Sequence, residues 1–270
     1  MIIDGKKIAE EVLAEVKKEI SDKNLNLSLG AVLVGDDPEF KKFVELKGKA
    51  AEKIGVSFTI YKFPASIEAE ELKKNLQEIF EWSDGVLVEL PLPKHIDQQA
   101  ILNEISIEKD VDVLSDEAQK LFYENKSKIN PPAVEALKIV LEKQDIFLGG
   151  KKVAIFGQGI LVGKPVAHWL ERQGAEVYRI DEYTQDPEQY SLHADIVVSG
   201  VGKPGLIKDS MIKGGAVVID YGYGKKDGKM MGDIDFKPVS KKASLTTPVP
   251  GGMGPVLVVA VLKNLIKLNS

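Results

Sequence analysis

Short strand-like runs alternate with longer amphipathic stretches along this chain, and that alternation constrains the fold more than any other feature. The runs fall at residues 29–34, 57–63, 86–90, 153–156, 176–180, 195–199 and 216–220. Each is short and ends at a polar or glycine-bearing turn, so each predicts a strand. Between and around them lie helical patterns. Residues 5–20 place Ile8, Val12, Val16 and Ile20 on one stripe. Asp36-Asp37-Pro38 opens a helix to about residue 54, closed by Gly55. Residues 67–82 turn Leu72, Leu76, Ile79 and Phe80 to one side. Shorter helices are expected at 97–105, 133–143 and 165–173, and a closing one at 254–268. Strand, helix, strand in succession predicts parallel βαβ units with right-handed crossovers. The fold class expected is therefore α/β. The polar stretch 115–132 reads as irregular and as the first candidate for an interdomain connection, and 225–232 reads as a small turn or hairpin.

Composition narrows the functional classes. A chain of 270 residues holds two modest domains or one large one. The 36 Lys and Arg nearly balance 41 Asp and Glu, so no basic surface dominates and nucleic acid is not an expected partner. Cysteine is absent, which excludes disulfides, thiolate metal sites and Cys nucleophiles and fits a reducing compartment. The three histidines, His95, His168 and His193, have no metal-ligand spacing, so no metal is expected. Asp4, Lys6 and Lys7 interrupt the N-terminus where a signal peptide needs an apolar core, and the apolar run 256–262 is too short to span a membrane. A cytoplasmic protein without a membrane partner is the expectation.

The strongest chemical signal is the turn Gly157-Gln158-Gly159-Ile160-Leu161-Val162-Gly163, which follows a predicted strand and opens a predicted helix. In that context glycines let the backbone approach a pyrophosphate, and the helix N-terminus offers free N–H groups. The spacing is one residue longer than the usual dinucleotide fingerprint, and a ligand-free tight turn is the competing reading. The next strand runs into Asp181-Glu182. An acid there bonds the ribose hydroxyls of NAD and repels the 2′-phosphate of NADP. Arg179 argues the other way, but strand alternation turns it from the face of Ile180. A solvated acidic loop competes with this reading as well. NAD is favoured over NADP. The loops Gly200-Val201-Gly202-Lys203-Pro204 and Asp220-Tyr221-Gly222-Tyr223-Gly224 follow later strands, where Gly202 and Tyr223 are expected to border the nicotinamide or to be ordinary loop residues.

Several further segments recur in one order. They are Val34-Gly35-Asp36-Asp37-Pro38, residues 43–50 (Phe43 to Ala50), Val88-Glu89-Leu90-Pro91-Leu92-Pro93, Lys109-Asp110-Val111-Asp112, Val162-Gly163-Lys164-Pro165, Gly202-Lys203-Pro204-Gly205 and residues 247–255 (Thr247 to Pro255). With them the chain resembles the bifunctional methylenetetrahydrofolate dehydrogenase/cyclohydrolases over nearly its whole length. The resemblance implies a folate-binding catalytic domain at 1–118 plus 246–270 and a Rossmann-type NAD(P)-binding domain with a parallel sheet at 119–245. It implies a homodimer, tetrahydrofolate one-carbon derivatives as substrates, and two reactions. The first oxidises 5,10-methylenetetrahydrofolate with the dinucleotide, and the second hydrolyses the methenyl product to 10-formyltetrahydrofolate. Lys47 matches the family's catalytic lysine, a movable donor suited to polarising a folate nitrogen and assisting water. Asp112 matches the acid that anchors the pterin. Pro250, Gly254 and Pro255 match the folate-pocket loop, and Gly157, Gln158, Gly159 and Gly163 the cofactor turn.

Departures cluster around these positions. Phe43 stands where the family usually has Tyr, four residues before Lys47 and on its helix face. Glu89 stands where the family has Gln. A carboxylate there holds Lys47 as a cation, a good donor and a poorer base, and predicts that cyclohydrolysis suffers more than hydride transfer. Gly157-Gln158-Gly159 replaces Gly-Arg-Ser, which again favours NAD, and Pro131-Pro132-Ala133-Val134 replaces Pro-Cys-Thr-Pro. Val113 and Leu257 replace Gly and Thr. Two other readings stand beside the folate enzyme. One is a non-catalytic or single-activity relative that binds nucleotide or folate. The other is a different two-domain dehydrogenase, acting on an amino acid or a shikimate-type substrate.

Overall fold

The computed structural model describes residues 1–226 and 228–270, without the side chain of Lys226. Helix α1 (Gly5–Asp22) buries Ile8, Val12, Val16 and Ile20 along one stripe, as its period requires. Strand β1 (Ser28–Val34) follows, then α2 (Pro38–Lys53). The Asp37 carboxylate caps α2 by accepting from the amides of Glu39 and Phe40, with Pro38 in the first turn. Next come β2 (Ser57–Phe63), α3 (Ala69–Trp82), β3 (Gly85–Val88), α4 (Gln98–Leu102), α5 (Asp116–Tyr123) and α6 (Pro132–Lys143). Helix α5 corrects the reading of 115–132 as irregular. Its polar sequence hides an amphipathic turn, and Ser115 caps it by accepting from Ala118 N at 3.3 Å.

The second half runs β4 (Lys152–Phe156), α7 (Gly163–Arg172), β5 (Glu176–Ile180), α8 (Pro187–Ser191), β6 (Ile196–Ser199), a 3₁₀ turn at Asp209–Met211 and β7 (Val217–Asp220). It then continues through β8 (Gly224–Lys226), β9 (Lys229–Met231), α9 (Phe236–Lys242), β10 (Leu245–Thr246) and α10 (Met253–Leu268). Strands β8 and β9 pair antiparallel, so the 225–232 segment is a hairpin, with Asp227 outside the described residues. No helix among the described residues is long and apolar enough to cross a membrane.

The chain divides into two compact units. One comprises residues 10–132 and 258–270 and contains a parallel sheet of order β2-β1-β3. Its core packs Val32, Val86 and Val88 of the sheet with Leu72, Leu76 and Ile79 of α3 and Ile101 and Leu102 of α4. The other unit comprises residues 1–9 and 133–257 and contains a five-stranded parallel sheet of order β10-β7-β6-β4-β5. Its core includes Ala154, Phe156, Val197, Val218 and Ile234.

Both sheets reverse direction beside their first strand. In the smaller sheet the chain goes from β1 outward to β2 and returns to β3 on the opposite side of β1. In the larger sheet β4 leads to β5, and β6 then lies on the far side of β4. Loops leaving two neighbouring strands in opposite directions open a crevice at their carboxyl ends, where ligands bind in such sheets.

Candidate active site

In the smaller sheet that position is occupied by charge. Lys47 lies on α2, the helix after β1, and Glu89 lies one residue beyond β3, its amide still in the ladder to Val32 O at 2.9 Å. The Lys47 ammonium donates to Glu89 Oε1 in an ion pair whose side chains are only 15% and 10% exposed. The Leu90–Pro91 peptide that follows is cis. Asp112 completes the group. It is part-exposed at its surface yet densely enclosed, and this desolvation pushes its carboxyl up to about 7. Lys47 opposes that rise, while Glu89 and Asp110 add to it. Lys47, Glu89 and Asp112 thus act on one another within one unit. Phe43 lies one helical turn before Lys47, and both are half-buried.

The Asp112 loop is held by groups to which the sequence assigned no role. The buried Asp110 accepts from Leu114 N at 2.9 Å and Ser115 N at 2.8 Å. Desolvation raises its carboxyl, against those bonds. Lys109 donates to Ser83 O at 2.7 Å and to Phe80 O, closing the C-terminal end of α3. Asn264 of α10 donates to Val111 O at 2.9 Å and Asn130 O at 2.7 Å. Val113 takes φ +57°, the left-handed region that a glycine enters freely and a β-branched residue rarely does.

In the larger sheet the turn 157–163 leaves β4 and starts α7 at Gly163. A Cβ on Gly163 would stand 1.8 Å from Gly157 O, so the helix enters against the backbone of its own turn. Gln158 folds back, donating to Gly157 O at 3.0 Å and Ile155 O at 3.2 Å. Gly159 has open space around it, with nothing within 4 Å of a Cβ there. Gly200 lies against the Val162 side chain, and Gly202 lies beside Tyr223 O, so the loops after β4, β6 and β7 adjoin one another. The tight turn and the open space before the N-terminus of α7 are what a pyrophosphate needs. Asp181 follows β5 directly. Its Oδ1 accepts from Thr184 Oγ1 at 2.8 Å and Tyr183 N at 3.0 Å, and these bonds hold its carboxyl below the usual range. Arg179 points away from the buried face of Ile180 and forks onto Glu171 at 2.9 and 3.1 Å.

Pro250, after a cis bond from Val249, and Gly254 and Pro255, in the first turn of α10, belong to the larger sheet's unit. Lys47, Glu89 and Asp112 belong to the other. Among the described residues no three His, Asp or Glu side chains gather as metal ligands do.

A doubly wound sheet with a glycine turn at its switch point, joined in one chain to a second unit bearing a lysine among carboxylates, marks a dinucleotide-binding α/β enzyme as the class. Residues 131–270 match the family model described as "Tetrahydrofolate dehydrogenase/cyclohydrolase, NAD(P)-binding domain", and residues 3–112 match its "catalytic domain" counterpart. The chain belongs to the tetrahydrofolate dehydrogenase/cyclohydrolase family. It is 41% identical over 276 residues to the bifunctional protein FolD of Mycoplasmopsis synoviae, covering 99% of each. The solved FolD structure from Campylobacter jejuni superimposes with a TM-score of 0.95 at 33% identity, over 99% of this chain and 98% of that one. The FolD structure from Trypanosoma brucei, described as a complex with NADP and an inhibitor, gives 0.94 at 32% identity over 99% and 96%.

Proposed function

We propose that this protein oxidises 5,10-methylenetetrahydrofolate to 5,10-methenyltetrahydrofolate and hydrolyses that product to 10-formyltetrahydrofolate. The observation that supports this reading is the mutual placement of Lys47, Glu89 and Asp112 at one switch point of an α/β unit, in a chain of this family. Asp112, once ionised, accepts the two N–H donors of the pterin edge and fixes the ring. Lys47 donates a hydrogen bond to the folate beside the one-carbon bridge and so fixes the bridge for hydride transfer. Phe43 offers an apolar ring to the folate. In the second step water adds to the methenyl carbon as Lys47 takes one of its protons; that proton passes to the ring nitrogen whose bond to the carbon breaks, and the other leaves to solvent.

When bound, the nicotinamide dinucleotide supplies the hydride acceptor. Gly157, Gln158, Gly159 and Gly163 would hold its pyrophosphate at the start of α7, and Gly202 and Tyr223 would border its ring. Asp181 has Oδ2 left for a ribose hydroxyl and carries negative charge where NADP carries a phosphate, so NAD is the cofactor favoured. The reading extends to a cytoplasmic homodimer. The test is to supply 5,10-methylenetetrahydrofolate with NAD or with NADP and follow methenyl formation and decay. Turnover with NAD is expected. Turnover with NADP alone would overturn the Asp181 argument, and a folded protein without turnover would leave a binding relative.

A further inference from the structure

A buried carboxylate outside the expected site organises one wall of the dinucleotide crevice. Asp233 lies just past β9 and is fully buried. Its Oδ2 accepts from Ser199 Oγ at 2.7 Å, Val201 N at 2.7 Å and Gly202 N at 3.2 Å. Its Oδ1 accepts from Lys203 N at 2.6 Å. One side chain therefore gathers three successive amides of the loop leaving β6. Those amides take part in no helix or sheet ladder, and Asp233 supplies the acceptor that holds them in one arrangement.

Asp233 is itself held from β7. Asp220, the last residue of that strand, accepts from Asp233 N and Ile234 N, both at 3.1 Å, and from Gly222 N at 2.7 Å. Thr247 Oγ1 accepts from the Asp220 amide at 2.7 Å. Two glycines make room for this relay. A Cβ on Gly222 would stand 2.3 Å from Asp233 Oδ1, and one on Gly232 would stand 2.0 Å from Asp220 Oδ2. The loops after β6 and β7 are thus tied together through two carboxylates at the carboxyl edge of the sheet.

We propose that Asp233 is a positioning residue for hydride transfer, setting the 201–203 loop against which the nicotinamide end of the dinucleotide is received. This rests on the reading of the chain as a dehydrogenase and cyclohydrolase, and the two activities separate its consequences. Hydride transfer needs the dinucleotide, whereas hydrolysis of added methenyltetrahydrofolate does not. Asp233→Asn keeps the shape but replaces one acceptor oxygen by an amide N–H facing a backbone donor.

The experiment measures both activities in wild type, Asp233→Asn and Ser199→Ala. The expected result for Asp233→Asn is a rise in the dinucleotide KM of about tenfold or more, with cyclohydrolase kcat/KM within about twofold of wild type. Ser199→Ala removes one donor and leaves the carboxylate, so about a two- to fivefold rise in the same KM is expected. An unchanged dinucleotide KM in both variants overturns the proposal. So does a parallel fall of both activities, which would mark Asp233 as a general support of the fold. Should Asp233→Asn fail to fold, Ser199→Ala decides by the same criteria. A wild type inactive in both assays would instead defeat the functional reading beneath.

Discussion

Position 89 shows how one functional group resets a neighbour. Glutamine there would share a hydrogen bond with Lys47, whereas Glu89 forms a largely buried ion pair with it. A carboxylate partner leaves Lys47 its donor role and adds a Coulombic cost to any step in which lysine acts as a base toward water. Glu89→Gln is expected to raise cyclohydrolase kcat/KM about three- to tenfold while dehydrogenase kcat/KM changes by less than about twofold. An equal change in both activities would sink the argument. Asp181 makes a second residue-scale case. Asp181→Ser removes the charge but keeps a hydroxyl for the local turn, so the NADP-to-NAD ratio of kcat/KM should rise about tenfold or more, and a constant ratio would refute the assignment. Val113 teaches a third lesson. The glycine normal at that place implies a left-handed residue, and Val113 adopts that geometry at φ +57°, at a cost of about 1–3 kcal/mol. The amides collected by Asp110 hold the loop there.

At the scale of elements, steric fit decides which glycines matter. Gly163→Ala would drive a Cβ into the carbonyl of Gly157, a backbone atom that cannot swing aside, while Gly159→Ala meets open space. Denaturant unfolding should find Gly163→Ala less stable by about 2–4 kcal/mol and Gly159→Ala within about 0.5 kcal/mol of wild type. Equal stabilities would show that the turn relaxes. The same scale explains what was legible in the sequence. The strands could be read because buried parallel strands are compact apolar runs, and α1, α2, α3 and α10 because each spans several turns of a periodic stripe. Helices α8 and α9, five and seven residues long, were missed because periodicity does not register over so few residues, and Pro238 inside α9 argued against it. Lys47 and Asp112 were found only through neighbouring motif residues. Asp110 and Asp220 stood inside noted segments without a role of their own, and Asp233 and Asn264 went unnoted, because their partners are largely backbone groups, many of them remote in sequence, and a lone Asp near a turn is ordinary.

For the whole molecule, the pH dependence of stability carries the imprint of the site. Asp112 is raised to about 7 and Asp220 to about 6, both mainly by desolvation, against an ordinary value of 3.8. Between pH 4 and 7 the folded chain therefore retains protons that the unfolded chain has released. Where the native state binds more protons, stability falls as pH rises. These two groups contribute least above their raised values, the reverse of ion-paired carboxylates such as Asp195, which Lys213 holds low and which lose stabilising effect on acidification. A bulk titration mixes these opposing slopes, but the difference between wild type and Asp112→Asn cancels every group that the substitution leaves alone. Asparagine keeps the volume and carries no charge to desolvate. The variant should match wild type below about pH 3.5 and become progressively more stable through pH 7, levelling at a gain of about 2–4 kcal/mol, or about 5 °C in thermal midpoint, near pH 8. It should at the same time lose folate turnover, because the pterin donors face an amide. In wild type the folate KM should climb about tenfold per pH unit below 7, as the fraction of ionised Asp112 declines. A stability difference independent of pH would show that Asp112 is not the group titrating near 7, and a flat folate KM between pH 5.5 and 7.5 would show that its ionised form is not what binds the pterin.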